Sequence, residues 1–173
     1  MIALAAIGAS KPACNPLDQS VVVDLHHDYA VERLAALFAS RGVSEGSTVT
    51  IGLPNSIGFV ESMFAAWAVG AVPQPISDRL PALERDAIVD LADPALVVGA
   101  PPSEGQARPV LESVPRDLPA GSFTPGVSPE WKLMTSGGST GRPKLIGATQ
   151  PALSEMVGPA GALVHLRPDG CVL

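Results

Sequence analysis

The sequence predicts an α/β fold, a parallel-rich sheet flanked by helices, and three observations carry that prediction. Extended and helical patterns alternate from residue 48 to residue 99, and such alternation builds parallel sheets through right-handed crossovers. The helical segment at 57–69 carries Phe59, Val60, Met63, Phe64 and Trp67 with Glu61 as its only charge, the mark of a helix buried against other elements. Residues 95–99 form a short continuous apolar run, which fits a strand covered on both faces. The composition agrees. A length of 173 residues is enough for one domain with a real core, and 46% hydrophobic residues with a mean hydropathy of +0.29 exclude a disordered chain.

In chain order, residues 1–18 contain Pro12 and Pro16 and read as a helical turn and a loop, and 21–25 is β-rich enough for a short strand. His26-His27-Asp28 invites a metal. Adjacent histidines on a strand point opposite ways and only His165 remains elsewhere, so a solvated turn is favoured. Ala30, Leu34, Leu37 and Phe38 fall at i, i+4, i+7 and i+8, one face of a helix from Tyr29 to near Gly42 with Asp28 as its cap. A strand at 47–53 and the turn Pro54-Asn55-Ser56 lead into the helix at 57–69. There Phe59, Phe64 and Trp67 could line an aromatic ligand box, but core packing is the stronger reading.

Gly70 ends that helix, and Pro73 and Pro75 place the extended segment 71–76 at a sheet edge or a strand's end. Leu80, Leu83, Ala87, Ile88 and Leu91 trace the next amphipathic helix, with Glu84, Arg85, Asp86 and Asp90 mostly on its wet side. Residues 100–129 are dense in Pro, Gly and Ser without apolar period, and read as a long connection, mobile or draped over the surface. Residues 131–134 and 145–149 read as strands. Pro151 suits the first turn of a helix whose stripe is Leu153, Met156, Val157 and Ala160. Residues 167–170 then turn into Cys171-Val172-Leu173, the start of another strand. The expected division is 1–99 as an α/β subdomain, 100–130 as the Pro/Gly-rich connection and 131–173 as a strand–loop–strand unit with its following helix.

The net charge of −6, with 11 scattered Lys and Arg, argues against a nucleic-acid platform. Cys14 and Cys171 sit in no metal or redox spacing; a disulfide between them stays open, though free thiols in a reducing cytosol are favoured. Residues 1–9 lack the basic region and apolar length of a secretory leader, and no apolar run approaches a membrane span. A cytoplasmic protein is expected.

Chemistry concentrates in Met134-Thr135-Ser136-Gly137-Gly138-Ser139-Thr140-Gly141-Arg142-Pro143-Lys144. Gly137, Gly138 and Gly141 permit a tight turn and close approach of a ligand to the main chain. Ser136, Ser139 and Thr140 add hydroxyls, successive N–H groups can form a nest for anionic oxygens, and Lys144 adds a point charge. That inventory suits a polyphosphate. A Walker P-loop needs Gly-Lys-Ser/Thr running into a helix; here Pro143 precedes the lysine, Leu145 follows it, and a strand comes next. A Gly/Ser linker is disfavoured by Pro143-Lys144 and the flanking apolar strands.

Gly138 to Lys144 match, position by position, the phosphate loop of the adenylate-forming superfamily, which the chain resembles: acyl-CoA synthetases, luciferases and the adenylation domains of peptide synthetases. Gly137 stands where serine is common and Leu145 where glycine is usual, a variant that looks like the bile-acid-CoA ligase branch. Tyr29-Ala30-Val31-Glu32-Arg33-Leu34, the turn from Arg41 to Val49, Leu53-Pro54-Asn55-Ser56 and Gly70-Ala71-Val72-Pro73-Gln74-Pro75 resemble further signatures of that superfamily. The resemblance extends over about 29–173.

This resemblance implies the N-terminal portion of the enzyme's large domain. The superfamily's adenine-binding motif, ribose-binding aspartate, hinge and catalytic lysine do not appear, so a fragment, inactive alone, is expected, with the catalytic lysine beyond Leu173 and no catalytic residue in the chain itself. The implied parent is an acid–thiol ligase of lipid-type metabolism, which activates a hydrophobic carboxylic acid with ATP and Mg²⁺ and passes it to coenzyme A. Ser136, Gly137, Gly138, Ser139, Thr140, Gly141 and Lys144 would bind the ATP phosphates, and Thr140 is the possible Mg²⁺ contact. The partners implied are the small acid, ATP and CoA. Three further readings stand beside it: a non-catalytic binding or assembly module of the same fold, an adenylation domain that loads a carrier protein, and an unrelated ATP-using enzyme with a similar loop.

Overall fold

The computed structural model describes residues 25–99, 108–128, 130–136 and 143–163. Their elements are α1 (Leu25–Ser40), β1 (Thr48–Ile51), α2 (Ile57–Ala68), β2 (Val72–Pro75), α3 (Ala82–Ala92), β3 (Leu96–Val98), β4 (Val110–Leu111), β5 (Glu130–Ser136), β6 (Lys144–Thr149) and α4 (Gln150–Leu163). The expected turns and strands at 1–24 and 164–173, and the pairing of Cys14 with Cys171, lie outside the described residues.

The predicted parallel sheet is present. It has the order β2-β1-β3-β4, with every pair parallel. The β1–α2–β2 crossover steps one way across the sheet and β2–α3–β3 steps back over β1, so right-handed connections place α2 and α3 on opposite faces. Side chains alternate along each strand. Val49, Ile51, Leu96 and Val98 meet Leu34 and Phe38 of α1 and Met63, Ala65 and Ala66 of α2 in the main core. Thr50, Gln74 and Val97 point to the other face and are fully buried.

Helix α1 begins at Leu25, before the expected start. His26, His27 and Asp28 therefore lie in its first turns, not in a solvated turn, and Asp28 is not its cap. No Gly or Pro interrupts residues 25–41, so nothing there breaks the helix. It ends as expected at Gly42: the Gly42 N–H donates to Ala39 O and the Val43 N–H to Phe38 O, both at 3.0 Å, in a Schellman cap. At the start of α2, Ser56 Oγ accepts the Phe59 N–H at 3.2 Å. That helix is not buried all round. Ser62, Met63, Ala65 and Ala66 face the core, while Ile57, Val60 and Phe64, at i, i+3 and i+7, form an exposed stripe.

Pro73 and Pro75 put β2 at the edge of the sheet, as expected. The Val72 N–H donates to Ser47 O at 2.8 Å and the Ile76 N–H to Ile51 O at 2.9 Å. Even positions thus face β1, and the prolines fall on the outward positions, where a missing N–H breaks no ladder bond. In α3 the buried residues are Ile88 and Val89, while Leu83 is 86% exposed and Leu91 is also exposed. Arg85 and Asp86 are mostly covered instead, 3.6 Å apart. The apolar face is thus rotated from the expected stripe. The helix spans only Ala82–Ala92, and two adjacent aliphatics suffice to seat so short a helix.

The 100–129 connection carries structure where none was expected. Val110 pairs with Val97 in β4, and Val114, Leu118 and Phe123 pack on the core. Arg33 Nη1 donates to Leu118 O at 2.7 Å, and the Gly126 N–H donates to Ala68 O at 3.2 Å. The segment is draped across α1 and the end of α2, anchored residue by residue.

On the second face of the sheet, Thr50 Oγ1 donates to Gln74 Oε1 at 2.6 Å, and Gln74 Nε2 has no partner among the described residues. Thr50→Val keeps the shape and strands the Gln74 carbonyl as well. It is expected to lower stability in urea unfolding by about 1–3 kcal/mol, and Thr50→Val with Gln74→Leu is expected to recover most of that loss. Equal stability of the single and double variants would show that the pair does not interact.

Candidate functional site

In an open α/β sheet the usual ligand crevice lies at the carboxyl ends of the strands where the winding reverses, here between β1 and β3. Leu53 lies across it: β-carbons added to Gly58 and Gly99 would stand 3.9 and 2.7 Å from its δ-carbons, and one on Gly58 would stand 3.3 Å from Val114. Among the described residues, Leu53 and Val114, both apolar, line it. The candidate site is therefore elsewhere, at the tip of the hairpin that the sequence singled out.

Strands β5 and β6 are antiparallel, with Met134↔Ile146, Thr135↔Leu145 and Ser136↔Lys144 as successive pairs. The ladder ends at the Ser136↔Lys144 rung, so these two residues stand roughly 4.5–5.5 Å apart between Cα atoms. A strand, not a helix, follows Lys144, which removes the Walker reading. The strands run beyond the expected 131–134 and 145–149: Ser136 and Lys144 are their last paired residues, because Leu145 continues the pairing. Gly137, Gly138, Ser139, Thr140, Gly141 and Arg142 lie outside the described residues.

The two faces of the hairpin differ. Lys144 and Ile146 are exposed and share a face with Met134 and Ser136, whereas Leu145 and Thr135 on the other face are half-buried. Leu145, which replaces the glycine usual after the lysine, thus uses its side chain to seat the hairpin while Lys144 turns outward. Thr135 Oγ1 is buried with no partner among the described residues. Sequence reasoning left it out of the site, because its hydroxyl was visible there but its burial was not. Ser136 and Lys144 thus offer one hydroxyl and one ammonium on a shared face beside the glycine-rich segment, a donor pair that fits polyphosphate oxygens.

The base of the hairpin is docked by aromatic residues. A β-bulge falls between Glu130 and Lys132, and the carbonyl of the bulged Trp131 accepts a hydrogen bond from Trp67 Nε1 at 2.5 Å. The two indole rings are 6.2 Å apart, tilted by 34°. Lys132 Nζ sits 4.2 Å from the Trp131 ring centre, and Phe64 meets Trp67 edge-on at 5.2 Å. Phe59 and Trp67 pack on the core as expected, with Phe64 partly outside it. At the far end of β6, Thr149 Oγ1 accepts the Ala152 N–H at 3.3 Å and caps α4, in which Leu153 is half-buried but Met156 is exposed. Among the described residues, no group of three or more His, Cys, Asp or Glu could hold a metal ion, and no helix is long and apolar enough to cross a membrane.

The chain belongs to the AMP-binding enzyme family, whose model matches residues 27–160. It is similar to a hybrid PKS-NRPS synthetase of Emericella nidulans, 32% identical over 127 residues that make up 66% of this chain and 3% of that protein. Among solved structures it resembles O-succinylbenzoate coenzyme A synthetase from Bacillus subtilis in complex with AMP, with a TM-score of 0.69 at 17% identity over 82% of this chain and 39% of that one. A Mycobacterium tuberculosis fatty acyl CoA synthetase gives a TM-score of 0.53 at 25% identity over 71% of this chain and 28% of that one. The chain thus spans well under half the length of each of these relatives.

Proposed function

We propose that these residues supply the ATP-phosphate-binding part of an acid–thiol ligase. A carboxylate oxygen attacks the α-phosphorus of ATP, the bond to the bridging β-phosphate oxygen breaks, and pyrophosphate leaves; the thiol of coenzyme A then attacks the acyl carbon and displaces AMP. Ser136, Ser139, Thr140 and the N–H groups of Gly137, Gly138 and Gly141 hold the β and γ phosphates, and Lys144 meets the charge on the departing pyrophosphate. Mg²⁺, contacted by Thr140, would add further charge neutralisation there. A hydrophobic acid is the proposed substrate. The observation that carries the reading is the Ser136↔Lys144 rung, which brings a hydroxyl and a cation together on either side of the glycine-rich reversal.

The similarity to the hybrid synthetase favours a second reading, in which the acyl group passes to a carrier-protein thiol. Activity with free CoA as the acceptor, in a polypeptide that contains these residues and the whole reaction, decides between the two. The 173-residue chain, spanning 39% of the solved synthetase, is expected to bind Mg-ATP but to give no carboxylate-dependent pyrophosphate exchange. Exchange above background would mean that the reaction needs nothing beyond these residues, and absence of Mg-ATP binding would remove the phosphate-site reading.

A further inference from the structure

We infer that Trp67 is a positioning residue for the phosphate-binding turn: its indole N–H holds the bulged residue at the base of the hairpin and so fixes where Ser136 and Lys144 stand against the α/β layer. The inference rests on the reading of the turn as a polyphosphate site.

Strand β5 runs beside β2, yet the two form no ladder, and β5–β6 is a separate two-stranded sheet. The reason is on the flank of β2, where Pro73 and Pro75 have no N–H to offer. A backbone ladder of alternating donors and acceptors cannot form along that flank, and a side chain supplies a tie instead. Trp67 Nε1 provides that tie, donating to Trp131 O. A bulge leaves its extra residue out of the pairing, and that is why the Trp131 carbonyl is available to an outside donor. From Trp131 to Ser136 the strand is roughly 16 Å long at about 3.3 Å per residue. A tilt of about 5° at the base therefore moves the tip by over about 1 Å, a displacement on the scale that degrades a preorganised site.

The test is calorimetric titration of the 173-residue chain with Mg-ATP, at a temperature where circular dichroism shows each variant folded. Trp67→Phe keeps a ring and removes the N–H. It is expected to weaken Mg-ATP binding about 3- to 10-fold, the worth of one net hydrogen bond. Phe64→Leu trims the packing on Trp67 but spares the N–H, and is expected to stay within about twofold. Trp67→Phe binding like the parent, or melting earlier with unchanged affinity, overturns the positioning role. So does an equal loss in Phe64→Leu, because packing alone would then explain it. Lys144→Ala separates the two ideas: it should weaken Mg-ATP binding measurably, though by less than the fall in kcat expected of it, and if it binds like the parent, the phosphate-site reading itself falls.

Trp67 and Trp131 are the chain's only two tryptophans, which gives a readout on the unaltered protein should Trp67→Phe not fold. Saturation with Mg-ATP is expected to shift the tryptophan emission, since both fluorophores sit at the contact that couples the turn to α2. An emission spectrum unchanged at saturation overturns the inference.

Discussion

Lys144→Ala, made in a polypeptide that carries out the whole adenylation, is expected to lower kcat by about 10²- to 10³-fold, the usual cost of one preorganised electrostatic donor. A lysine that meets a departing pyrophosphate acts on charge that grows in the transition state, so the KM for ATP should rise far less than kcat falls. Thr140→Ala is expected to change the kinetics in the same direction. The structure separates this effect from folding: Lys144 is exposed at the end of β6, so its truncation empties no core. Steady-state kinetics with a melting curve check the expectation. Near-normal adenylation, or a collapse in Tm as the main effect, would make Lys144 scaffolding and move the phosphate site elsewhere.

Gly70→Ala is expected to be among the most destabilising single-methyl changes in the chain, at roughly 2–5 kcal/mol, from a left-handed backbone penalty and a backbone clash together. Gly70 has φ +75, and a β-carbon there would stand 2.7 Å from the Gly126 carbonyl carbon, 2.8 Å from its Cα and 2.9 Å from Val127 N. Gly126 is itself bridged to Val69, so the 108–128 segment could relieve the clash only by leaving the end of α2. Gly42→Ala is the control. Its φ is +90 with nothing within 4 Å, so it should cost only the backbone term of about 1–2 kcal/mol. Urea unfolding of both variants measures the difference, and equal losses would show that Gly126 is not seated on Gly70. Against a total stability of about 5–15 kcal/mol, the expected loss is large.

Much of this architecture was legible because it rests on strong local signals. The alternation from residue 48 to 99 gave the βαβ units, the prolines of β2 gave its edge position, and Pro143-Lys144-Leu145 gave a strand in place of a Walker helix. What escaped depends on tertiary contacts. Strand β4 is Val110–Leu111 alone, too short for any period, and exists because β3 offers it a free edge. In α3, Ile88 and Val89 were chosen over Leu83 and Leu91 by where the sheet lies, which periodicity does not encode. His26, His27 and Asp28 joined α1 because a helix extends until something stops it. At the site, the chemistry of Ser136 and Lys144 was readable, but their pairing across one rung was not, nor was the Trp67 contact at the bulge, which joins residues 64 positions apart.

Pro73 and Pro75 also govern how the sheet behaves toward other copies of itself. A parallel sheet with non-adjacent strands assembles slowly, and its edges are exposed before the last elements dock. An unprotected edge presents donors and acceptors to any passing strand, the usual start of edge-to-edge aggregation. On the outward flank of β2 the two prolines leave carbonyls with no N–H between them, so a foreign strand laid there would find its own acceptors unmatched. Until the hairpin settles against it, the flank of β2 is protected by its covalent chemistry, and sheet growth from that side is blocked from the moment the strand forms.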